Sequence, residues 1–185
     1  LEFRRVLFRS QGCTAVRYPR GTGTGAAIEQ PAQTYKIGEA VIESVLGSND
    51  APYKLALLAF GTMVATAQQA AESLTSDDTA LECQVHVVNM RWVKPLDIEL
   101  ILSLVETHEI LITLEENAVA GGAGSGVAEL LAQSGVTCPI RHVGIPDNFI
   151  AHAGQGECRQ MAGLSADNIV ATARMAAPQQ TQHAL

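Results

Sequence analysis

Residues 54–62 read KLALLAFGT, a short and continuous apolar run from Lys54 to Phe60 followed by Gly61 and Thr62. Such a run, with no polar alternation, fits a strand buried on both faces, as in a parallel sheet. Beyond Gly61-Thr62, the residues Val64, Ala67, Ala70, Ala71 and Leu74 recur at helical spacing. The same order then repeats. Cys83 to Met90 reads as a second buried strand around Val85, Val87 and Val88, and Arg91 to Leu96 as a loop holding Pro95. Asp97 is an N-cap for a helix carrying Ile98, Ile101, Leu102 and Val105. Ile110 to Leu114 is a third strand, which Glu115-Glu116-Asn117 is expected to end. Gly121 to Gly126 reads as a glycine-rich turn, with Val127, Leu130 and Leu131 starting the next helix. Pro139 to Ile145 is a fourth strand, and helices are expected over Glu157 to Ala162 and from Ser165 to about Met175.

Upstream, Lys36 to Val45, with Ile37, Val41, Ile42 and Val45, reads as an edge strand turned back by Gly47-Ser48-Asn49-Asp50. No helix separates it from the next strand, so it is expected to pair antiparallel at an edge. Strands alternating with helices predict right-handed parallel crossovers. The expected fold is α/β: three layers, with a mostly parallel five-stranded sheet and one antiparallel edge strand.

Composition narrows the function classes. Apolar residues make up 47% of the 185, enough for a sizeable core, whereas aromatics are only 4%, too few for a base-stacking platform. The net charge of −7 disfavours a general nucleic-acid or membrane-surface role. No apolar run approaches the length needed to cross a bilayer. Cys13, Cys83, Cys138 and Cys158 form no C-x-x-C pair and read as reduced thiols in a cytoplasmic protein, most of them buried.

Charge is uneven: Arg4, Arg5, Arg9, Arg17 and Arg20 crowd the start against Glu2 alone. Residues 1–10, LEFRRVLFRS, join poorly to the chain after Ser10 and resemble a translated adapter. With no initiator Met, a truncated reading frame is expected. A genuine arginine-rich helical turn is the other reading. Cys13 to Tyr18 reads as a strand stopped by Pro19, and Gly21, Gly23, Gly25 and Pro31 give the next stretch loop or linker composition.

Three features invite a chemical reading. The run Gly121 to Gly126 at a helix start could hold a phosphate. Yet it is not G-x-G-x-x-G, no lysine comes after it, and Glu115 and Glu116 would repel an anion. Small residues letting helix and sheet approach is the other reading. Glu115 and Glu116 are adjacent on a strand and point to opposite faces, so they make no dyad; capping of nearby N–H groups fits them better. His86, His108, His142, His152 and His183 lack metal spacing. Finally, Arg17-Tyr18-Pro19-Arg20-Gly21 places two arginines at a strand end. An arginine there can grip a phosphate for roughly 1.5–3 kcal/mol, and an ordinary surface ion pair fits equally well.

A set of segments gives those residues a family context. Ala15 to Gly21 resembles the close of the pyrimidine-binding domain of the 1-deoxy-D-xylulose-5-phosphate synthases, in the transketolase superfamily. Leu57 to Thr62 resembles the first core strand and turn of their C-terminal domain. Val88-Asn89-Met90-Arg91-Trp92-Val93-Lys94-Pro95-Leu96-Asp97 is similar to the family's V-D-M-R-F-V-K-P-L-D signature, with Asn89 and Trp92 departing from it. Thr113 to Asn117, Gly121 to Val127 and Gly144-Ile145-Pro146-Asp147-Asn148-Phe149-Ile150 match in order.

With the adapter-like residues 1–10 set apart as non-native and 177–185 as a tail that matches nothing in the family, the resemblance implies that 11–25 are a remnant of the pyrimidine-binding domain, 26–35 a linker and 36–176 a transketolase C-terminal domain. It also implies a cytoplasmic homodimeric transferase. That enzyme uses thiamine diphosphate and magnesium to condense pyruvate with glyceraldehyde 3-phosphate, releasing carbon dioxide, for isoprenoid, thiamine and pyridoxal synthesis. Arg20 corresponds to the arginine that binds the substrate phosphate. The family's diphosphate–magnesium motif, catalytic glutamate and active-site histidines match nothing here. The chain alone is therefore expected to bind no cofactor, to contribute packing and dimer contacts, and to be inactive. Competing readings are the C-terminal domain of a 2-oxoacid dehydrogenase β-subunit or a transketolase, a free-standing regulatory or interaction module, and a nucleotide-binding module built on the glycine-rich turn.

Overall fold

The structure, a computed structural model, describes residues 34–76 and 81–177, together with 12, 13 and 15. The chain divides into two units, residues 1–34 and 35–185, and the second carries the fold. Arg17, Arg20, the strand expected over 13–18 as a whole, and the tail beyond 177 lie outside the described residues.

The second unit runs β1 (Val41–Gly47), β2 (Tyr53–Ala59), α1 (Met63–Thr75), β3 (Cys83–Asn89), α2 (Ile98–Val105), β4 (Ile110–Ala118), α3 (Ala123–Gln133), β5 (Ile140–Ile145), α4 (Gln155–Met161) and α5 (Ala166–Ala176). The sheet order is β1-β3-β2-β4-β5. Strands β2 to β5 pair parallel, and β1 pairs antiparallel with β3 at the edge. This is the expected fold, including the place of the antiparallel strand.

The central run explains the layers. Along β2, Leu55, Leu57 and Ala59 enter one core with α1 and α5, through Met63, Ala67, Leu74 and Ile169. Ala56, Leu58 and the adjoining Phe60 enter the other core with α2 and α3, through Ile101, Leu104, Val127 and Leu131. A period of two thus feeds both faces of a sheet sandwiched by helices. Fully burying one such leucine contributes about 1.5–3 kcal/mol.

Several boundaries differ from the sequence reading. β1 begins at Val41 rather than Lys36, because Gly38, at φ +78°, puts residues 36–39 in a turn in which Glu39 N–H reaches the Lys36 carbonyl. β1 closes at Gly47, whose φ of +87° and tight approach to the Cys83 carbonyl exclude a side chain. β4 does not stop at Leu114 but continues through Glu115-Glu116-Asn117 to Ala118, since both carboxylates find partners. Helix α3 starts at Ala123, inside the glycine run, not at Val127. The cysteines are less buried than expected: Cys83 is buried, Cys138 and Cys158 are partly so, and Cys13 is exposed.

Candidate functional site

In an open α/β sheet, chemistry gathers at the carboxyl ends of the parallel strands, where chain order reverses. Here β3 lies on one side of β2 and β4 on the other, so that point falls between β2 and β4. At the carboxyl end of β4, Glu116 meets Thr62 from the turn after β2 and Arg159 from α4, while Glu115 meets the start of α3 on the other face.

Glu115 is only 4% exposed. Its carboxylate accepts from the N–H groups of Ala123 at 2.7 Å and Gly124 at 2.8 Å. It therefore satisfies the free donors at the start of α3 and meets the positive end of the helix dipole. The glycines permit this approach. A Cβ on Gly122 would strike the Ala118 carbonyl and the Glu115 carboxylate, and one on Gly124 would strike Thr113 Oγ1 and His142 Nδ1. The phosphate reading of the glycine run is thereby closed, because a side chain already occupies the anion position. The nucleotide-binding alternative loses its site with it.

Glu116, on the opposite face, accepts from Thr62 Oγ1 and from Arg159 Nε. Burial raises its pKa, but the hydrogen bonds from Thr62 and Arg159 and the arginine's charge outweigh this and hold it below the usual carboxylate value. The two glutamates thus make no shared acid–base pair, and each tethers a different loop. Sequence reasoning anticipated the capping by Glu115. It missed Arg159 and Thr62, since nothing in their spacing announces a partner so far along the chain.

The histidines also pair internally. His108 Nδ1 lies 2.9 Å from the Leu104 carbonyl, and His108 Nε2 lies 2.8 Å from His86 Nδ1. The carbonyl can only accept, so His108 carries its proton on Nδ1 and Nε2 accepts from His86. Burial lowers both pKa values, and at His86 repulsion from His108 and Lys54 adds to it. His142 Nδ1 is 2.6 Å from Thr113 Oγ1, and burial lowers its pKa too. His152 is exposed in the loop after β5, and His183 lies outside the described residues.

The cofactor implied by the resemblance does not fit the described residues. No group of three or more His, Cys, Asp or Glu is placed to hold a metal ion among them. The glycine-rich helix start that could cradle a diphosphate is filled by Glu115. No helix of the described residues is long and apolar enough to cross a membrane.

Comparison with known proteins agrees with the fold. The sequence is 57% identical over 173 residues to the 1-deoxy-D-xylulose-5-phosphate synthase of Psychrobacter cryohalolentis, covering 89% of this chain and 25% of that protein. It is 45% identical over 176 residues to the synthase of Thioalkalivibrio sulfidiphilus, covering 94% of this chain and again 25% of the relative. The chain thus spans about a quarter of the length of the curated relatives it matches. Among solved structures, a split-gene transketolase described as an inactive beta4 tetramer superposes with a TM-score of 0.66 at 28% identity, over 82% of this chain and 46% of that one. The transketolase of Campylobacter jejuni shares the fold at a TM-score of 0.52 and 18% identity, over 75% of this chain and 18% of that one. The profile described as "Transketolase, C-terminal domain" matches residues 50–169, and the chain belongs to that family.

Proposed function

We propose that this chain is the C-terminal part of a 1-deoxy-D-xylulose-5-phosphate synthase. The whole enzyme condenses pyruvate with glyceraldehyde 3-phosphate and releases carbon dioxide, using thiamine diphosphate and magnesium held by other parts of the polypeptide. The observation that carries this reading is the 57% identity over 89% of the chain, far closer than the likeness to transketolases at 28% and 18%. In this reading the domain supplies packing and dimer contacts in a cytoplasmic homodimer, and the segment before it contributes Arg20 to the grip on the substrate phosphate. Residues 11–25 are then the close of the pyrimidine-binding domain and 26–35 the linker. On its own the chain turns nothing over. The inertness of the split-gene transketolase piece supports that expectation.

The test is a chimera in which this chain replaces the matching quarter of the Psychrobacter cryohalolentis synthase. The chimera should convert pyruvate and glyceraldehyde 3-phosphate at a rate within about tenfold of the parent, while the isolated chain shows no turnover. A folded but inactive chimera, or an isolated chain that consumes pyruvate, sinks the reading.

A further inference from the structure

Between Val143 and Ala162 the chain leaves the core: none of residues 144–161 is buried. Helix α4, which closes this stretch, buries no side chain. Much of what holds the stretch together is internal. Glu157 accepts from the Gly154 N–H at 2.9 Å, and the Cys158 thiol donates toward the carbonyls of Ala153 and Ala151, 3.5 and 3.8 Å away. Ile145 and Ile150 pack, partly buried, against the core on the α1 and α5 side. Among the described residues, the one side-chain hydrogen bond from 146–161 to the rest of the domain is that of Arg159 Nε to Glu116. The other oxygen of Glu116 is held by Thr62 Oγ1, so the sheet side of this contact has its own anchor. The stretch ends on a glycine turn. Gly163, at φ +74°, places its N–H on the Gln160 carbonyl, and the Leu164 N–H reaches the Arg159 carbonyl at 2.8 Å. Leu164 itself is buried, so α4 hangs from the core by this turn at one end. A segment with so few buried apolar contacts opens at a lower free energy than the core beneath it.

We propose that residues 146–161 form a strap that opens as a unit while the rest of the domain stays folded, and that the Arg159–Glu116 ion pair is the latch that holds it shut. Opening withdraws Ile150 from the edge of the core. It also frees the Glu116 carboxylate and the Thr62 hydroxyl at the crevice where the strand order reverses. The latch is sensitive to its surroundings, because its side chains are 32% and 29% exposed and dissolved salt screens a pair so placed. Glu116 is fixed to the turn after β2 whether or not Arg159 is present, which makes the helix the moving part. The strap stands independently of the functional reading above.

Amide hydrogen exchange of the full chain, read residue by residue by NMR, tests this. The amides of Cys158 to Met161 in α4 should exchange at least about a hundredfold faster, relative to their intrinsic rates, than those of Val170 and Ala173 in α5. Glu116→Gln and Arg159→Gln should each speed exchange in α4 by about three- to fivefold and leave Val170 and Ala173 unchanged. The double variant should exchange no faster than either single one, because all three lose the same contact. Arg159→Lys should fall between Arg159→Gln and the wild type. Raising the salt to about 1 M, where the screening length falls to about 3 Å, should speed α4 in the wild type and not in Arg159→Gln. Exchange of Cys158 to Met161 at the protection of Val170 and Ala173 overturns the strap, since α4 would then open only with the whole domain. Single-variant effects that multiply in the double variant, or that appear equally at Val170 and Ala173, overturn the latch.

Discussion

Two backbone N–H groups, those of Ala123 and Gly124, hold the Glu115 carboxylate in a site from which water is excluded. Removing the side chain leaves both donors buried and unpaired at the positive end of a helix. Glu115→Ala should therefore cost about 2–4 kcal/mol, read as a shift of the urea midpoint at constant slope. A loss below about 1 kcal/mol would show that the helix start is satisfied some other way. The histidines set the response to pH. His86, His108 and His142 all have folded pKa values lowered from 6.5, so the unfolded chain takes up protons first as pH falls. Their contribution is complete above pH 6.5 and is lost as pH drops toward the folded values. Stability should thus fall between pH 7.5 and 5.5, and a His86→Gln/His108→Gln variant should show a shallower fall in urea titrations at the two pH values. A wild-type protein equally stable at both would refute the neutral pairing. Glu116, held below its usual 4.5, is ionised in both the folded and unfolded chain throughout that window, so its contribution is constant there and adds nothing to the fall.

At the scale of elements, the sequence made the strands and their order of burial legible, because a buried strand and an amphipathic helix are local patterns. KLALLAF needs no partner to be recognised, and Asp97 announces the start of α2, accepting from Leu100 N–H at 3.0 Å. What stayed hidden was the second job of such residues. The other oxygen of Asp97 accepts from Ala40 N–H at 2.8 Å and so pins the start of β1 across 57 residues of sequence. The extension of β4 and the early start of α3 were hidden for the same reason. Consecutive glutamates and glycines each read as breakers, and only their three-dimensional pairing turns them into a strand end and a helix start. Asp97→Ala should accordingly lose more than a simple N-cap, about 2 kcal/mol rather than about 1, and should speed amide exchange at Ala40 and Val41 as well as at Leu100. If exchange quickened only at Leu100, the link to β1 would be incidental.

For the whole molecule, the domain's interior accounts for why it folds but not for what it contributes to catalysis. Its buried carboxylate and its paired histidines are all engaged by internal partners. In the reading proposed above, chemistry reaches this chain through its first segment, with Arg20 as the residue suited to a phosphate. A guanidinium fork gripping that group contributes roughly 1.5–3 kcal/mol, or about 10- to 150-fold in apparent affinity. In the chimera, Arg20→Ala should raise KM for glyceraldehyde 3-phosphate by that factor and leave KM for pyruvate within about twofold, since pyruvate carries no phosphate. Arg20→Lys keeps the charge without the fork and should fall between the two. Arg17→Ala, in the same motif, should change neither constant by more than about twofold. Equal effects of Arg20→Ala on both substrates would indicate a role in holding the domain in place rather than in binding phosphate.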